Sequence, residues 1–315
     1  MKNLISFIIP CFNSENTIDR TISSIIASFT CEYEIIVIDD ASTDGTLKKI
    51  QSNKSIDKVI INDNNSGVSI SRNRGIDQAT GNYIMFIDSD DNYIPDNIDS
   101  LTNLLEMNKF DVIAFNYINN DNIVNIIPDF ATSKESILNY FLSKENKLGA
   151  IWPFAFKTDF IKNNHIKFKK HIIIAEDYLF SFTALFRSKS FIYNDNVIYH
   201  YNYTENSATH SKLTLKKIKD FYEIDKDIIL TLTNSNYSHL ISFVLSSKAD
   251  RSLDQWRTVL ININDYTKDE FLEIRKEISK QIDFKYTKNF KNIITYLAVK
   301  SNLISSFIIK LKGEK

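Results

Sequence analysis

The chain holds 315 residues with a formal net charge of −1; 43% are hydrophobic, 24% charged and 12% aromatic. That is enough apolar material for a sizeable core, and it excludes disordered, collagenous, coiled-coil and low-complexity classes. The near-neutral total hides an asymmetry, since residues 1–210 sum to −7 and residues 211–315 to +6, which argues against a nucleic-acid surface on the first part. The basic second part is compatible with an anionic partner such as a membrane face, and equally with solvated helix faces.

Met1 to Leu4 lead into a short apolar stretch broken by Pro10, too short for a signal segment, and no run of about 18 apolar residues occurs, so a cytoplasmic protein is expected. Leu4–Ile9, Glu34–Ile38, Lys58–Ile61, Tyr83–Ile87 and Asp111–Tyr117 are short apolar runs that predict strands buried on both faces. Between the first two, Ile18, Ile22, Ile25, Ile26 and Phe29 mark one face of a helix, with Asn13 or Ser14 as its N-cap. Cys11 and Cys31, the two cysteines, have no C-x-x-C spacing, so neither a disulfide framework nor a thiolate zinc site is expected, and a reducing compartment is favoured. Ile98, Leu101, Leu104 and Leu105 repeat the helical pattern before the fifth run. Strands and helices alternating over such short connections predict a doubly wound, mostly parallel α/β sheet, whose ligands sit at the carboxyl ends of the strands.

Farther along, Thr132 to Glu135 predicts a capping box ahead of Ile137, Leu138, Phe141 and Leu142, and Leu179, Phe182 and Leu185 mark a helix after Glu176 and Asp177. Ile151–Phe156 and Val197–Tyr203 look like strands. From Leu213 onward there is no proline and Gly313 is the sole glycine, while Ile224, Ile228, Phe271, Ile274 and Ile278 recur at helical spacing. The expected organisation is an α/β domain over 1–210 and a helical C-terminal appendage over 211–315.

No P-loop, dinucleotide fingerprint, nucleophile elbow or paired-histidine metal motif is present. Polar and acidic clusters stand instead at strand ends: Pro10-Cys11-Phe12-Asn13, Asp39 to Thr46, and Asp88-Ser89-Asp90-Asp91. Converging carboxylates there suit a hard divalent cation, Mn²⁺ or Mg²⁺, whose shell substrate phosphates complete. If the chain stays extended after the fourth run, Asp88 and Asp90 face the same side. The alternative is that these residues serve only as helix caps and turns.

Four segments in order, Ile8 to Asn13, Ile36 to Thr46, Asn65 to Ile76 and Gly81 to Asp91, resemble the successive signatures of family-2 glycosyltransferases with the GT-A fold. The resemblance is dense over residues 4–110, thinner over 150–210, where Ala175 to Phe180 looks like the family's acidic pair, and absent after 211. It implies that Pro10 and Phe12 line a nucleobase pocket and that Asp40 accepts the N3–H of uracil. Asp88 would face the ribose or metal region and Asp90 would ligate the metal that bridges the diphosphate. Arg72 would add positive charge to the donor pocket or else lie on a helix surface, as is expected of Arg74. Asp177 would be the general base of an inverting transfer, with Glu176 orienting the loop or an acceptor hydroxyl, although both could instead cap a helix. His210 would lie near the diphosphate as a tentative metal ligand or be an exposed histidine. Trp152, Tyr199, Tyr201 and Tyr203 could stack on sugar faces or pack in the core.

The expected activity is hexosyl or N-acetylhexosaminyl transfer from a UDP-sugar to a bacterial surface glycan, capsule or lipopolysaccharide, with a glycan or lipid-linked glycan as acceptor. The rivals are a non-catalytic nucleotide-sugar or glycan-binding module, which the acidic residues at 90 and 177 disfavour, and a sugar nucleotidylyltransferase, which would need a glycine- and arginine-rich loop after the first strand. Ile293, Ile294, Leu297, Leu303, Ile304, Phe307 and Ile308, punctuated by lysines, predict amphipathic terminal helices that either pack on the appendage, form a homodimer contact or touch the inner face of a membrane.

Overall fold

A computed structural model of the chain describes residues 4–119, 122–129, 131–143, 148–202, 212–286 and 290–301. It divides into two compact units, one comprising residues up to 141 together with 146–205, the other 142–145 together with everything from 206.

The first unit runs β1 (Ile5–Cys11), α1 (Ile18–Ser28), β2 (Tyr33–Asp39), α2 (Thr46–Ser52), β3 (Lys58–Ile61), α3 (Val68–Gln78), β4 (Tyr83–Phe86), β5 (Asn92–Tyr93), α4 (Ile98–Met107) and β6 (Val112–Asn119). It continues through β7 (Asn122–Val124), α5 (Lys134–Phe141), β8 (Phe154–Lys157), α6 (Thr158–Asn163), α7 (Glu176–Arg187) and β9 (Phe191–Tyr201). Among the described residues the strands form one sheet in the order β3-β2-β1-β4-β8-β6-β9-β5, with β7 pairing β6. β1 to β4 are mutually parallel, and β6 and β9 are parallel to each other; β8, β5 and β7 run against their neighbours. The α/β, wound character is as the sequence predicts. The winding leaves β1 toward β2 and β3, then returns to place β4 on the other flank of β1, so the carboxyl ends of β1 and β4 border the point where it reverses.

The apolar runs explain which strands are central. β1 and β4 are buried along their whole length and β2 along all but its first residue, whereas β3 is an edge strand whose Ile61 is exposed, so burial on both faces does not extend to it. The piece read as Ile151–Phe156 contributes only its last residues to β8, and of the piece read as Val197–Tyr203 the residues up to Tyr201 are the end of a longer β9, Asn202 lies past the strand and Tyr203 is outside the described residues. Two local expectations shift. The N-cap of α1 is Thr17 rather than Asn13 or Ser14, and the cap of α5 is one residue later than Thr132: Ser133 Oγ accepts from Ser136 N at 3.1 Å while Ser136 Oγ accepts from Ser133 N at 2.9 Å. A serine hydroxyl thus fills the role expected of Glu135. At the amino end of β4, Gly81 passes so close to β1 that a Cβ would lie 2.7 Å from Ile5 C and Ser6 N, which forbids a side chain there.

The second unit packs α8 (Leu215–Thr233), α9 (Ile241–Ile261), α10 (Lys268–Gln281) and α11 (Phe290–Lys300). Its core includes Ile218, Leu253, Trp256 and Val299 together with Phe271, Ile274 and Ile278, the last three being the helical spacing read from the sequence. Thr267 and Glu270 close a capping box at the start of α10. Leu297 is 55% exposed; Leu303, Ile304, Phe307 and Ile308 lie outside the described residues. Among the described residues no helix is long and apolar enough to cross a membrane. Both cysteines are free thiols.

Candidate active site

Four parallel strands deliver polar residues to one end of the sheet. After β1 the chain bends at Asn13, whose φ of 50° lies in the left-handed region that asparagine tolerates. Its backbone N–H donates to Ser42 Oγ at 2.9 Å and its Oδ1 accepts from Thr43 N at 2.8 Å, lacing the loops after β1 and β2 together. Pro10 is buried within β1 beside Ile38, while Phe12 is 45% exposed at the loop tip. Asp39 and Asp44 are turn builders: Asp39 Oδ2 accepts from Ser42 N at 3.2 Å, and Asp44 accepts from Thr46 N and Glu15 N.

Asp40 differs from both. Its buried carboxylate accepts from Asn62 Nδ2 at 2.6 Å and Ser66 N at 2.9 Å on Oδ1, and from Gly67 N at 2.8 Å on Oδ2, tying β2 to the loop that opens α3. Three donors leave room for one more on Oδ2. Asn62 was not singled out from the sequence, although it too stands at a strand end, directly after β3, and obeys the same placement rule.

The centre of the site is Arg72, on the inner face of α3 and only 3% exposed. Its Nη2 donates to Asp88 Oδ1 at 2.9 Å, and its Nη1 donates to Glu176 Oε1 at 3.0 Å and to Asp177 Oδ1. The Phe168 ring lies 5.4 Å from the guanidinium, and Nε is buried without a partner. Burial works against its charge, but Asp177, Asp88 and Glu176 raise its pKa further above the ordinary value. The surface reading of Arg72 is therefore corrected, while Arg74 is exposed, donating to Ile61 O at 2.8 Å and to Asn62. The helix α7 begins behind Ala175, whose φ of 57° swings Glu176 and Asp177 toward α3; the carboxylates face Arg72. Three acids share one cation. Burial first, then Glu176 and Asp88, push the Asp177 carboxyl well above the usual range against the pull of Arg72.

The chain does not stay extended beyond β4. Asp91 N donates to Asp88 O at 3.1 Å, so Asp88 to Asp91 form a turn, which removes the same-side argument for Asp88 and Asp90. The turn is held from α1, where Arg20 Nη2 donates to Asp90 O at 2.6 Å and Thr21 Oγ1 to Ser89 O and Asp91 O at 3.0 and 2.8 Å, and it touches the β1 loop through Ser14 Oγ and Ser89 Oγ, 2.7 Å apart. Asp91 is buried, accepting from Tyr199 Oη at 2.6 Å and Asn202 N at 2.7 Å; burial and the neighbouring Asp88 push its pKa up to about 8. Asp88 and Asp90 are half-buried. Among the described residues no three acidic, histidine or cysteine side chains converge as a metal cage. Two accessible carboxylates in an acid-rich turn still fit Mg²⁺ or Mn²⁺, which keep water and phosphate oxygens for most of their shell.

Trp152 and Tyr199 pack in the core rather than face a sugar, stacked on each other at 4.7 Å and 6°, with Tyr201 5.7 Å from the Trp152 ring. Tyr203 and His210 lie outside the described residues. The support under the turn, Tyr199 and Asn202, was invisible in the sequence because it joins residues more than a hundred positions apart.

A model of the family described as Glycosyl transferase family 2 matches residues 6–165. The chain is similar to a poly(ribitol-phosphate) beta-glucosyltransferase of Bacillus spizizenii, 28% identical over 292 residues, covering 88% of this chain and 44% of that protein. It is also similar to the UDP-Glc:alpha-D-GlcNAc-diphosphoundecaprenol beta-1,3-glucosyltransferase WfgD of Escherichia coli, 34% identical over 124 residues, 38% of this chain and 49% of that one. The chain thus spans less than half the length of these two curated relatives. Among solved structures, residues 1–349 of S. aureus TarS in complex with UDP-GlcNAc match with a TM-score of 0.72 at 20% identity, over 98% of this chain and 92% of that one. That likeness shows the fold, which is GT-A.

Proposed function

The chain belongs to glycosyl transferase family 2, and on that premise we propose that it moves a hexosyl or N-acetylhexosaminyl group from a UDP-sugar to a hydroxyl of a bacterial surface glycan, with inversion and with Asp177 as general base. The observation that carries the reading is Arg72, a buried cation that holds the acidic pair opening α7 on one side and Asp88 of the β4 turn on the other. It joins an acid–base group to the strand end where wound sheets receive nucleotides.

On the donor side, Phe12 and Pro10 would flank the base, and the spare position on Asp40 Oδ2 would accept the N3–H of uracil. Asp88 and Asp90 would hold Mn²⁺ or Mg²⁺, which when bound offsets charge on the departing diphosphate. The names of the relatives support a UDP-linked donor, since the TarS structure holds UDP-GlcNAc and WfgD is named for UDP-Glc. On the acceptor side, Asp177 would take the hydroxyl proton as that oxygen forms its bond to the anomeric carbon. The bond from that carbon to the diphosphate oxygen breaks, and its electron pair leaves with UDP on the opposite face. Burial and the neighbouring acids raise the proton affinity of this carboxyl, which favours its taking the hydroxyl proton. Arg72 would fix the carboxylate's aim and Glu176 would orient the acceptor. The reading places the work in residues 1–210 of a cytoplasmic enzyme.

The test is a thermal-shift screen of nucleotide sugars with Mn²⁺, followed by transfer to surface-glycan acceptors and assignment of the product anomer. A UDP-sugar should stabilise the protein, by about 2.7 kcal/mol at a hundred times its dissociation constant, and chelation with EDTA should remove that gain. Stabilisation by no nucleotide sugar, or a product of retained configuration, would overturn the reading.

A further inference from the structure

A pocket of about 210 Å³ lies where the first turns of α5, the end of α7 and the start of β9 meet. Apolar Ile137, Leu138, Leu185 and Phe191 line it together with Lys134 and Lys189. β9 runs parallel to β6, and β8 runs against both β6 and β4, so β9 points the same way as β4 and its amino end lies at the other end of the sheet from the β4 turn. The helix α7 sets Ser188, at this end, roughly 16 Å from Asp177. The pocket is therefore separate from the site around Arg72.

Two cations line this pocket without an acid paired to either. Lys134 is half-buried; its Nζ donates to Ser188 O at 2.6 Å and lies 5.9 Å from the Phe186 ring. Ser188 caps α7, and the lysine satisfies its carbonyl. An ammonium carries three N–H donors, however, and among the described residues that carbonyl is the one acceptor Lys134 Nζ reaches. Burial pulls its pKa below the ordinary value, and the acid that opposes this, Asp111, turns Oδ2 to the backbone N–H groups of Lys189 and Ser190 at 2.7 and 3.1 Å. Lys189 is exposed, and among the described residues its ammonium has no ion pair. A half-buried charge short of a counter-ion, beside an apolar lining, is stabilised most by an anion that brings an apolar body of its own. A dry cavity of about 150 Å³ already holds benzene, so this pocket admits one ring or a short alkyl chain with its headgroup at the lysines. We propose that the pocket between α5 and α7 binds a small amphiphilic anion, a carboxylate or a phosphate monoester, with Lys134 and Lys189 at its head and the apolar side chains around its body.

The proposal stands apart from the glycosyltransferase reading, and its test needs no turnover. The probes are benzyl phosphate and phenylacetate, which separate the two headgroups, with 2-phenylethanol as the neutral body and inorganic phosphate as the bare head. Each is titrated into the full chain, with and without UDP and Mn²⁺, while the methyl resonances of Ile137, Leu138 and Leu185 are followed. At least one of the two aromatic anions should shift those methyls saturably, more tightly than 2-phenylethanol or phosphate does, and UDP should not displace it. K134Q/K189Q should weaken that binding about tenfold. T132W, placed at an exposed residue of the pocket lining, should obstruct it while both ammonium groups remain. If K134Q/K189Q unfolds because Ser188 O loses its donor, T132W decides. Methyls that neither aromatic anion moves, binding matched by 2-phenylethanol or by inorganic phosphate, binding insensitive to the variants, or displacement by UDP would each overturn the proposal.

Discussion

The two ends of the central sheet treat buried acid in opposite ways. At the amino end, the Glu34 carboxylate on β2 accepts from Ser6 Oγ at 2.6 Å, Thr80 N at 2.6 Å, Thr80 Oγ1 at 2.7 Å and Lys58 Nζ at 2.8 Å. Burial alone would raise its pKa, yet Lys58, Ser6 and Thr80 together bring it down to about 2. At the carboxyl end, Asp88, Glu176 and Asp177 divide one guanidinium, and Asp177 and Asp91 are pushed up. The first arrangement spends donors until the charge is content and joins β1, β2, β3 and the approach to β4. The second keeps three carboxylates on one guanidinium, a surplus of negative charge among the described residues. A fold able to saturate one acid and leave others wanting, on the same sheet, marks the unsaturated end as the place for chemistry.

The contrast breaks most visibly at Asp177. Asp177→Asn should lower turnover roughly 10²–10⁴-fold, because an amide cannot take the acceptor proton, while the melting temperature stays level or rises as one repelling charge is removed. Steady-state kinetics and a thermal melt on the same sample check it; near-wild-type turnover would return the residue to a helix-capping role.

Arg72→Met should cost about 3–5 kcal/mol, the usual consequence of deleting one side of a buried ion pair and leaving the other uncompensated. Urea unfolding measures the loss, and a loss under about 1 kcal/mol would mean that water already compensates the three acids.

At the satisfied end, Glu34→Gln should cost about 1–3 kcal/mol at neutral pH, since the amide mismatches donors that a carboxylate accepts. The pH trends of the two ends have opposite sign. Glu34 has a folded pKa below its ordinary 4.5, so its contribution is whole above 4.5 and is lost as pH falls toward about 2. Asp177 lies above its ordinary 3.8, so the cost of its charge is absent in acid and grows as pH rises through the folded pKa. Urea midpoints of the wild type, Glu34→Gln and Asp177→Asn across pH 3–8 read both: the Glu34 difference should close in acid, and any gain in Asp177→Asn should close there too.

What the sequence determines by itself is local and periodic. The apolar runs that became β1, β2, β4 and β6, the stripes of α1, α4, α8 and α10, and the acidic turn residues at strand ends follow from spacing, since one face must be buried and a strand must end in something polar. Strands of two or three residues, such as β5 and β7, carry no period and so leave no trace. The insertion of β8 antiparallel between β4 and β6 is equally silent, because either direction buries the same side chains. The site divides along the same line. Asp40 and Asp88 stood out as polar residues at strand ends and Asp177 through the family resemblance, but the same letters allowed caps and turns. Tertiary structure decided what Arg72 is. Alone in sequence an arginine belongs in water; here α3, the β4 turn and the start of α7 meet around it, and three carboxylates from residues 88, 176 and 177 repay its burial. Glu34 was just as silent, since the partners that satisfy it come from residues 6, 58, 80 and 81, which only the wound sheet brings to one end. Electrostatic surplus and saturation are sums over neighbours, and a chain read in order does not say which neighbours it will have.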